Sequence, residues 1–277
     1  MTVSDERALR RGLLAVTVLH DLDLAPDDQG VALRCPGRLR IEWAEWADAL
    51  DGADPGTVVG VERLARYARA RRMLGIAPRV QPLPFAVPAG HPLHPGASWV
   101  RRIVPGGILD LGLGIAGLDP TRPDRILPLP ARAAERHGVD TAREFAAAQD
   151  YASEMAALAV ARLTRRPDDA LRPMGRCDVV TLLAASTFRT GLVAARAGTI
   201  RGMRTAAVPR RDRGWLDLRR IDPEFVSCAA AATAPEERGF PRPLLVTADE
   251  LTLAGPRARY LPRSAEETRA TPVDPRS

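Results

Sequence analysis

Hydrophobic positions follow two periods along the chain, and their mixture predicts the fold class. Over 108–118, apolar residues alternate with small or polar ones, which is typical of a strand with one buried face. Over 43–50 they recur at helical spacing instead, so that Trp43 and Trp46 share one buried face. No repeat of fixed period is found. We therefore predict an α+β fold with six to seven helices and small mixed sheets, as a single globular domain over 1–254.

Capping side chains precede several of the segments with helical periodicity. Thr141-Ala-Arg-Glu144 is a capping box that opens one helix. Asp178 is the predicted N-cap of a second helix, and Asp222 followed by Pro223 opens a third. The remaining predicted helices cover 5–20, 43–50 and 57–74.

Apolar segments between turn signals predict the strands. Val31 to Leu33 and Arg38 to Ile41 flank the turn Cys35-Pro36-Gly37 and predict a hairpin. The other predicted strands cover 99–104, 108–118, 125–129, 204–208 and 244–253. Residues 78–95 contain six prolines and two histidines, so we expect a long ordered loop or lid there. Residues 255–277 lack an apolar pattern and are predicted to be a disordered tail.

Gly112-Leu-Gly114-Ile-Ala-Gly117 has the spacing of a dinucleotide-binding loop. In such a loop the third glycine begins a helix whose N-terminus holds the pyrophosphate. Here Asp119-Pro120 follows at once, and no helical pattern comes next. The glycines are therefore predicted to belong to a strand, with a face bare enough for another element to approach closely.

Composition narrows the class of protein. The chain has 277 residues, of which 45% are hydrophobic, and a formal net charge of +6. No apolar stretch approaches the roughly 18 residues that a spanning helix needs, so we expect no integral membrane protein. All 40 basic residues are arginine, which makes the high pI weaker evidence for nucleic acid than usual. Three widely spaced cysteines favour a reduced, cytoplasmic protein.

The distribution of charge reveals two basic segments. Residues 58–104 carry eight arginines and one acid, and residues 171–221 carry eleven arginines and three acids. These segments supply the candidate anion-binding residues, which are Arg63, Arg66, Arg69, Arg204, Arg210, Arg211, Arg213 and Trp215. We predict that the segments meet on one uncovered surface. In the alternative, the acids of 1–57 and 222–254 cover them, and they are ordinary solvated faces.

A second candidate chemistry centres on Cys177. A helix N-terminus at Asp178, together with Arg172 and Arg176 nearby, is expected to lower the pKa of this thiol. A histidine from elsewhere in the chain would have to act as its base. Cys228, in contrast, is expected to be buried and inert on the face of its helix that carries Phe225.

His91 and His94 are separated by a spacing at which two imidazoles can share a metal ion. The sequence shows no further ligands nearby, so no metal site is predicted. No pattern identifies a cofactor either.

These observations predict a non-catalytic cytoplasmic protein. It would bind an anionic partner, either a nucleic acid, a nucleotide or an acidic protein face, through its arginines. The alternative is a cysteine-dependent enzyme that uses Cys177 and Asp178, with the His91/His94 loop as a lid. A scaffold that docks on an acidic protein is a third possibility.

Overall fold

The computed structural model describes nine stretches of the chain. They are residues 3–34, 39–76, 81–91, 94–96, 99–119, 122–165, 170–195, 202–216 and 222–254. Residues 255–277, which we predicted to be a disordered tail, lie outside these stretches.

The described stretches contain eight α-helices and twelve strands. The helices are α1 (Val3–His20), α2 (Trp43–Leu50), α3 (Val58–Ile76), α4 (Ala131–Arg136), α5 (Thr141–Arg165), α6 (Val179–Ala184), α7 (Ser186–Ala194) and α8 (Pro223–Ala232). The strands are β1 (Leu24–Pro26), β2 (Gly30–Leu33), β3 (Leu39–Glu42), β4 (Leu83–Pro88), β5 (Arg101–Ile103), β6 (Leu109–Ala116), β7 (Ile126–Pro128), β8 (Ala170–Leu171), β9 (Met203–Arg210), β10 (Arg213–Leu216), β11 (Leu244–Thr247) and β12 (Leu251–Leu253). The predicted α+β class is confirmed.

The strands form three sheets in which every described pairing is antiparallel. One sheet has the order β1-β2-β3, a second β4-β6-β5 with β7 also paired to β6, and the third β12-β11-β9-β10-β8. Helices α5 and α6 pack on β4 and β6, while α7 and α8 pack on the third sheet. One continuous hydrophobic core connects these layers. No helix among the described residues is both long and apolar enough to cross a membrane.

The proline-rich segment contains a strand, so our expectation of a loop over all of 78–95 was wrong. β4 pairs with β6 from Leu83 to Pro88. The Ala86 N–H points away from β6, because it donates to Thr181 Oγ1 at 3.2 Å. Pro84 and Pro88 lie two residues on either side and share this orientation, so their missing N–H groups cost the ladder no hydrogen bond. Proline therefore fits this edge strand.

Helix α3 is more deeply buried than its sequence predicts. The expected apolar stripe, which includes Leu64 and Ala68, is buried, but so are Arg66, Tyr67 and Arg71. The helix packs against α1, α2, α4 and β3, so its arginines do not form one solvated face. Because a buried charge is costly without a partner, its buried arginines are expected to pair with other groups of the protein or with a ligand.

Gly112 and Gly114 lie in strand β6, as predicted, whereas Gly117 follows the end of the strand. A Cβ on Gly112 would lie 2.3 Å from the Trp99 ring. The Trp99 indole crosses the strand at this point and donates to the Leu113 carbonyl at 2.7 Å. Gly112 is therefore required for the close approach of the indole.

Two local predictions need correction. Asp140, and not Thr141, caps α5, since Asp140 Oδ1 accepts a hydrogen bond from the Arg143 N–H at 3.1 Å. Cys228 is exposed, and Phe225 is 60% exposed. Helix α8 instead packs through Val226 and Ala230, which lie on its other side. Small and apolar residues all around this helix left the buried face undetermined by the sequence.

Candidate anion-binding cleft

A cavity of about 490 Å³ lies where the C-terminus of α1 meets α3, β4 and β7. This volume falls within the range of small-molecule sites. Both basic segments contribute to its wall, the first through Arg66 and Arg69 and the second through Arg211. The charged and titratable residues around it are His20, Asp21, Glu62, Arg66, Arg69, His91, Asp119, Arg125, Arg211 and Glu236.

Among the described residues, Arg66 is a buried cation without a partner. It is only 8% exposed, and no hydrogen bond or ion pair within the described part of the chain reaches its guanidinium. Burial lowers its pKa to about 10, and neighbouring arginines, Arg63 first among them, act in the same direction, whereas Glu62 opposes them. At neutral pH the group remains charged, so it carries a desolvation penalty without a compensating contact.

The helical repeat explains why Arg66 faces the cavity. Glu62, Arg66 and Arg69 lie at positions i, i+4 and i+7 of α3 and therefore share one face. All three line the cavity. Arg69 donates through Nη2 to the His20 carbonyl at 3.3 Å, but its buried Nε has no hydrogen-bond partner among the described residues. Burial also lowers the pKa of Arg69.

Arg211, in contrast, is held by a carboxylate, a backbone carbonyl and an aromatic ring. Its Nε and Nη2 lie 2.7 and 2.6 Å from Asp178 Oδ2, and its Nη2 donates to the Ala86 carbonyl at 2.7 Å. Its guanidinium also lies 4.2 Å from the centroid of the Phe85 ring. Asp178 is held in turn, because its Oδ1 accepts from the Thr181 N–H at 2.7 Å and caps α6. This network fixes the wall opposite α3.

A second cavity of about 660 Å³ lies beside the first. The two are adjacent, since both are lined by Phe85, Arg125, Leu127, Arg211 and Glu236, and together they are called the cleft. We call the first cavity the Arg66 cavity and the second the outer cavity.

His94, in the segment that we predicted to be a lid, is hydrogen-bonded through both ring nitrogens. His94 Nε2 lies 2.9 Å from Asp110 Oδ2, and His94 Nδ1 accepts from the Gly96 N–H at 3.0 Å. Nδ1 is therefore the unprotonated nitrogen, and Nε2 donates to Asp110. Arg101 also donates to this carboxylate at 2.6 Å. With both ring nitrogens engaged, His94 anchors its segment to β6.

His91 lines the Arg66 cavity and is kept neutral. Burial is the main cause that lowers its pKa to about 4, and the positive charge of Arg211 contributes. A neutral imidazole adds no charge to the cavity at neutral pH.

The other predicted anion-binding residues lie elsewhere or have partners. Arg63 Nη1 donates to the carbonyls of Leu50 and Asp51 at 2.5 and 3.1 Å, at the end of α2. Arg204 is 3% exposed and donates to the Leu192 carbonyl of α7 at 3.2 Å. These two arginines stabilise helix C-termini.

The remaining candidates lie around β10 and its turn. Arg210 pairs with Asp212 at 2.9 Å and lies 3.6 Å from Glu237. Arg213 is exposed, and Trp215 is half-buried in β10. The expected single uncovered arginine surface is therefore not present in the described chain. The two basic segments meet instead inside the cleft, through few residues.

The environment of Cys177 is the reverse of that expected for a nucleophile. The side chain is fully buried, and burial together with the Asp178 carboxylate raises the pKa of its thiol to about 12. The expectation of a lowered pKa was wrong, because the loss of solvent and, secondly, the negative charge of Asp178 both disfavour the thiolate. Asp178 is already occupied by Arg211 and the α6 N-terminus.

Sequence reasoning missed Arg125 and Phe85, which line both parts of the cleft. Arg125 lies 3.3 Å from Asp119 Oδ2. No local pattern marks either residue, since Phe85 lies in an apolar segment and Arg125 follows Asp124 outside both basic segments. Only the tertiary structure brings them beside Arg66 and Arg211.

Among the described residues, no group of three or more His, Cys, Asp or Glu side chains is placed to hold a metal ion. No protein-family model, curated protein or solved structure matches this chain. The cleft is therefore interpreted from its own geometry.

Proposed function

We propose that this protein binds a small anionic ligand in the Arg66 cavity without catalysing a reaction on it. The observation that carries the proposal is the buried guanidinium of Arg66, which has no partner in the described chain and lines a ligand-sized cavity. A bound carboxylate or phosphate would supply the missing charge-assisted hydrogen bonds.

A small ligand fits this site better than a nucleic acid does. Arg66 and Arg211 are each 8% exposed, whereas a polyanion is bound through arginines that project from a surface. The cavity wall also includes the carboxylates of Asp21, Glu62, Asp119 and Glu236. These carboxylates would repel a multiply charged anion, so a ligand with one negative charge at this end is favoured.

The cytoplasm is the location that we propose. Cys177 and Cys228 are both free thiols, and Cys228 is exposed. Free thiols of this kind fit a reducing compartment.

Calorimetric titration of the folded protein with acetate and with inorganic phosphate, at constant ionic strength, tests the proposal. We expect binding to the native protein and a loss of about tenfold or more in affinity in Arg66→Met, since a hydrogen bond to a charged group contributes about 1.5–3 kcal/mol. Arg210→Gln is the matched control and should bind normally, because Arg210 pairs with Asp212 outside the Arg66 cavity.

Two results would overturn the proposal. One is the failure of both anions to bind the native protein. The other is binding with the same affinity in Arg66→Met. A single-stranded oligonucleotide serves as the comparison, and tighter binding of this polymer than of either small anion would favour the nucleic-acid interpretation.

A further inference from the structure

We infer that the ligand is an amphiphilic monocarboxylic acid, whose carboxylate meets Arg66 and whose apolar chain extends into the outer cavity. This inference rests on the proposed function and adds the chemical class of the ligand. It comes from the contrast between the two parts of the cleft, which are adjacent but differ in whether their arginines have carboxylate partners.

Every arginine that lines the outer cavity is already paired with a carboxylate of the protein. Each arginine that lines it lies within 4 Å of a carboxylate, as follows: Arg122 of Glu237 (2.6 Å), Arg125 of Asp119 (3.3 Å), Arg176 of Asp124 (3.8 Å), Arg210 of Asp212 (2.9 Å) and Arg211 of Asp178 (2.6 Å). A second anionic group placed there would have to compete with these pairs. The ligand's second end is therefore uncharged.

Apolar side chains form much of the outer cavity between these pairs. Its apolar lining residues include Phe85, Ile126, Leu127 and Pro173. Burial of a hydrocarbon group against such a surface is favourable in proportion to the apolar area removed from water. The outer cavity therefore fits a short aliphatic or aryl chain.

Several lining residues are common to the Arg66 cavity, which would hold the carboxylate, and the outer cavity, which would hold the apolar chain. Phe85 and Leu127 line both cavities, so the two cavities lie next to each other at these apolar side chains. Arg125 also lines both cavities. In this arrangement the acid lies at Arg66 and the chain lies beyond Phe85, in the outer cavity.

Titration with acetate, butyrate and hexanoate tests the inference. Full burial of a methylene strengthens binding by about fourfold. We expect hexanoate to bind the native protein roughly thirtyfold or more tightly than acetate, since part of its chain remains in contact with water.

Ile126→Thr should reduce this gain while leaving the affinity for acetate unchanged, because it makes the outer cavity more polar and does not alter the Arg66 cavity. Leu245→Thr is the matched control. Leu245 is also a half-buried strand residue, but it lines neither cavity, so this variant should retain the full dependence on chain length.

The outcomes separate the two proposals. If acetate binds in an Arg66-dependent manner but hexanoate binds no more tightly, the amphiphilic class is wrong and the anion site stands. If the gain with chain length is the same in Ile126→Thr, the chain does not enter the outer cavity. If none of the acids binds, the proposed function itself fails.

A second test uses the native protein only, so that its result does not depend on whether a variant folds. Intermolecular NOEs from the terminal methyl group of hexanoate to the methyl groups of Ile126 and Leu127 are expected. Their absence in a saturated complex would contradict the inference.

Discussion

Helix α3 and the β9–β10 hairpin each place a buried arginine against the same cleft, but the two arginines differ in their surroundings. Arg211, at the turn of the hairpin, contacts a carboxylate, a backbone carbonyl and an aromatic ring. Arg66, on α3, is equally buried and has no hydrogen bond or ion pair in the described chain. The comparison shows that pairing, and not the local density of arginine, separates a structural cation from a candidate ligand-binding one.

The two arginines should also contribute differently to the stability of the fold. A buried charge that loses its partner destabilises a fold by several kcal/mol, whereas removal of a buried charge that has no partner relieves a penalty. Substitution of Arg211 and of Arg66 should therefore change stability in opposite directions.

The largest expected effect follows from Arg211→Met. This change leaves the Asp178 carboxylate and the Ala86 carbonyl without their shared donor. We expect the free energy of unfolding to fall by about 3 kcal/mol. Urea denaturation monitored by circular dichroism measures it, with the exposed Arg213→Ser as control, and a loss below about 1 kcal/mol would show that the network is not structural.

The second-largest effect is expected for His91→Gln, which should change how the free energy of unfolding depends on pH. Its pKa is about 4 in the folded protein, against 6.5 for an ordinary histidine. The unfolded chain therefore binds the extra proton first, and stability present above pH 6.5 is lost as the pH falls towards 4. In His91→Gln this acid-dependent loss should be about 2 kcal/mol smaller. Identical pH profiles for the two proteins would contradict the assignment.

A smaller effect of opposite sign is expected for Arg66→Met. The change replaces a buried unpaired cation by an apolar chain of similar length, so the free energy of unfolding should rise by about 1 kcal/mol in the absence of ligand. The same denaturation experiment measures it. A fall of more than about 1 kcal/mol would mean that Arg66 already has a strong partner within the fold.

The smallest effect is expected for Arg210→Gln. Arg210 is exposed and pairs with Asp212, and such surface pairs contribute little, so stability should change by less than about 0.5 kcal/mol. Anion affinity should also be unchanged. A marked loss of affinity would move the site from the Arg66 cavity to the rim of the outer cavity.

The sequence predicts those parts of the fold that local signals determine. The Asp178 and Asp222 caps start helices as predicted, and the strict alternation at Leu109–Ala116 marks a strand. It does not reveal β4, because prolines hide a strand that lies at a sheet edge. The orientation of α8 was missed because small residues on several sides leave no distinct apolar stripe.

The candidate site is predicted only in part, because it depends on contacts between distant segments. Arg66, Arg69 and Arg211 were selected by charge, and all three line the cleft. Arg204 was selected by the same criterion, yet it stabilises the C-terminus of α7. Nothing in the local sequence distinguishes a guanidinium that will find a carbonyl or carboxylate from one that will not.

Anomalous diffraction from crystals grown with 6-bromohexanoate tests the central claim most directly. Its carboxylate should lie within about 3 Å of an Arg66 guanidinium nitrogen. The bromine peak should lie in the outer cavity, beyond Phe85. A carboxylate bound at Arg213 or Arg210 instead, or an Arg66 cavity that stays empty at a concentration that saturates binding in solution, would contradict the account.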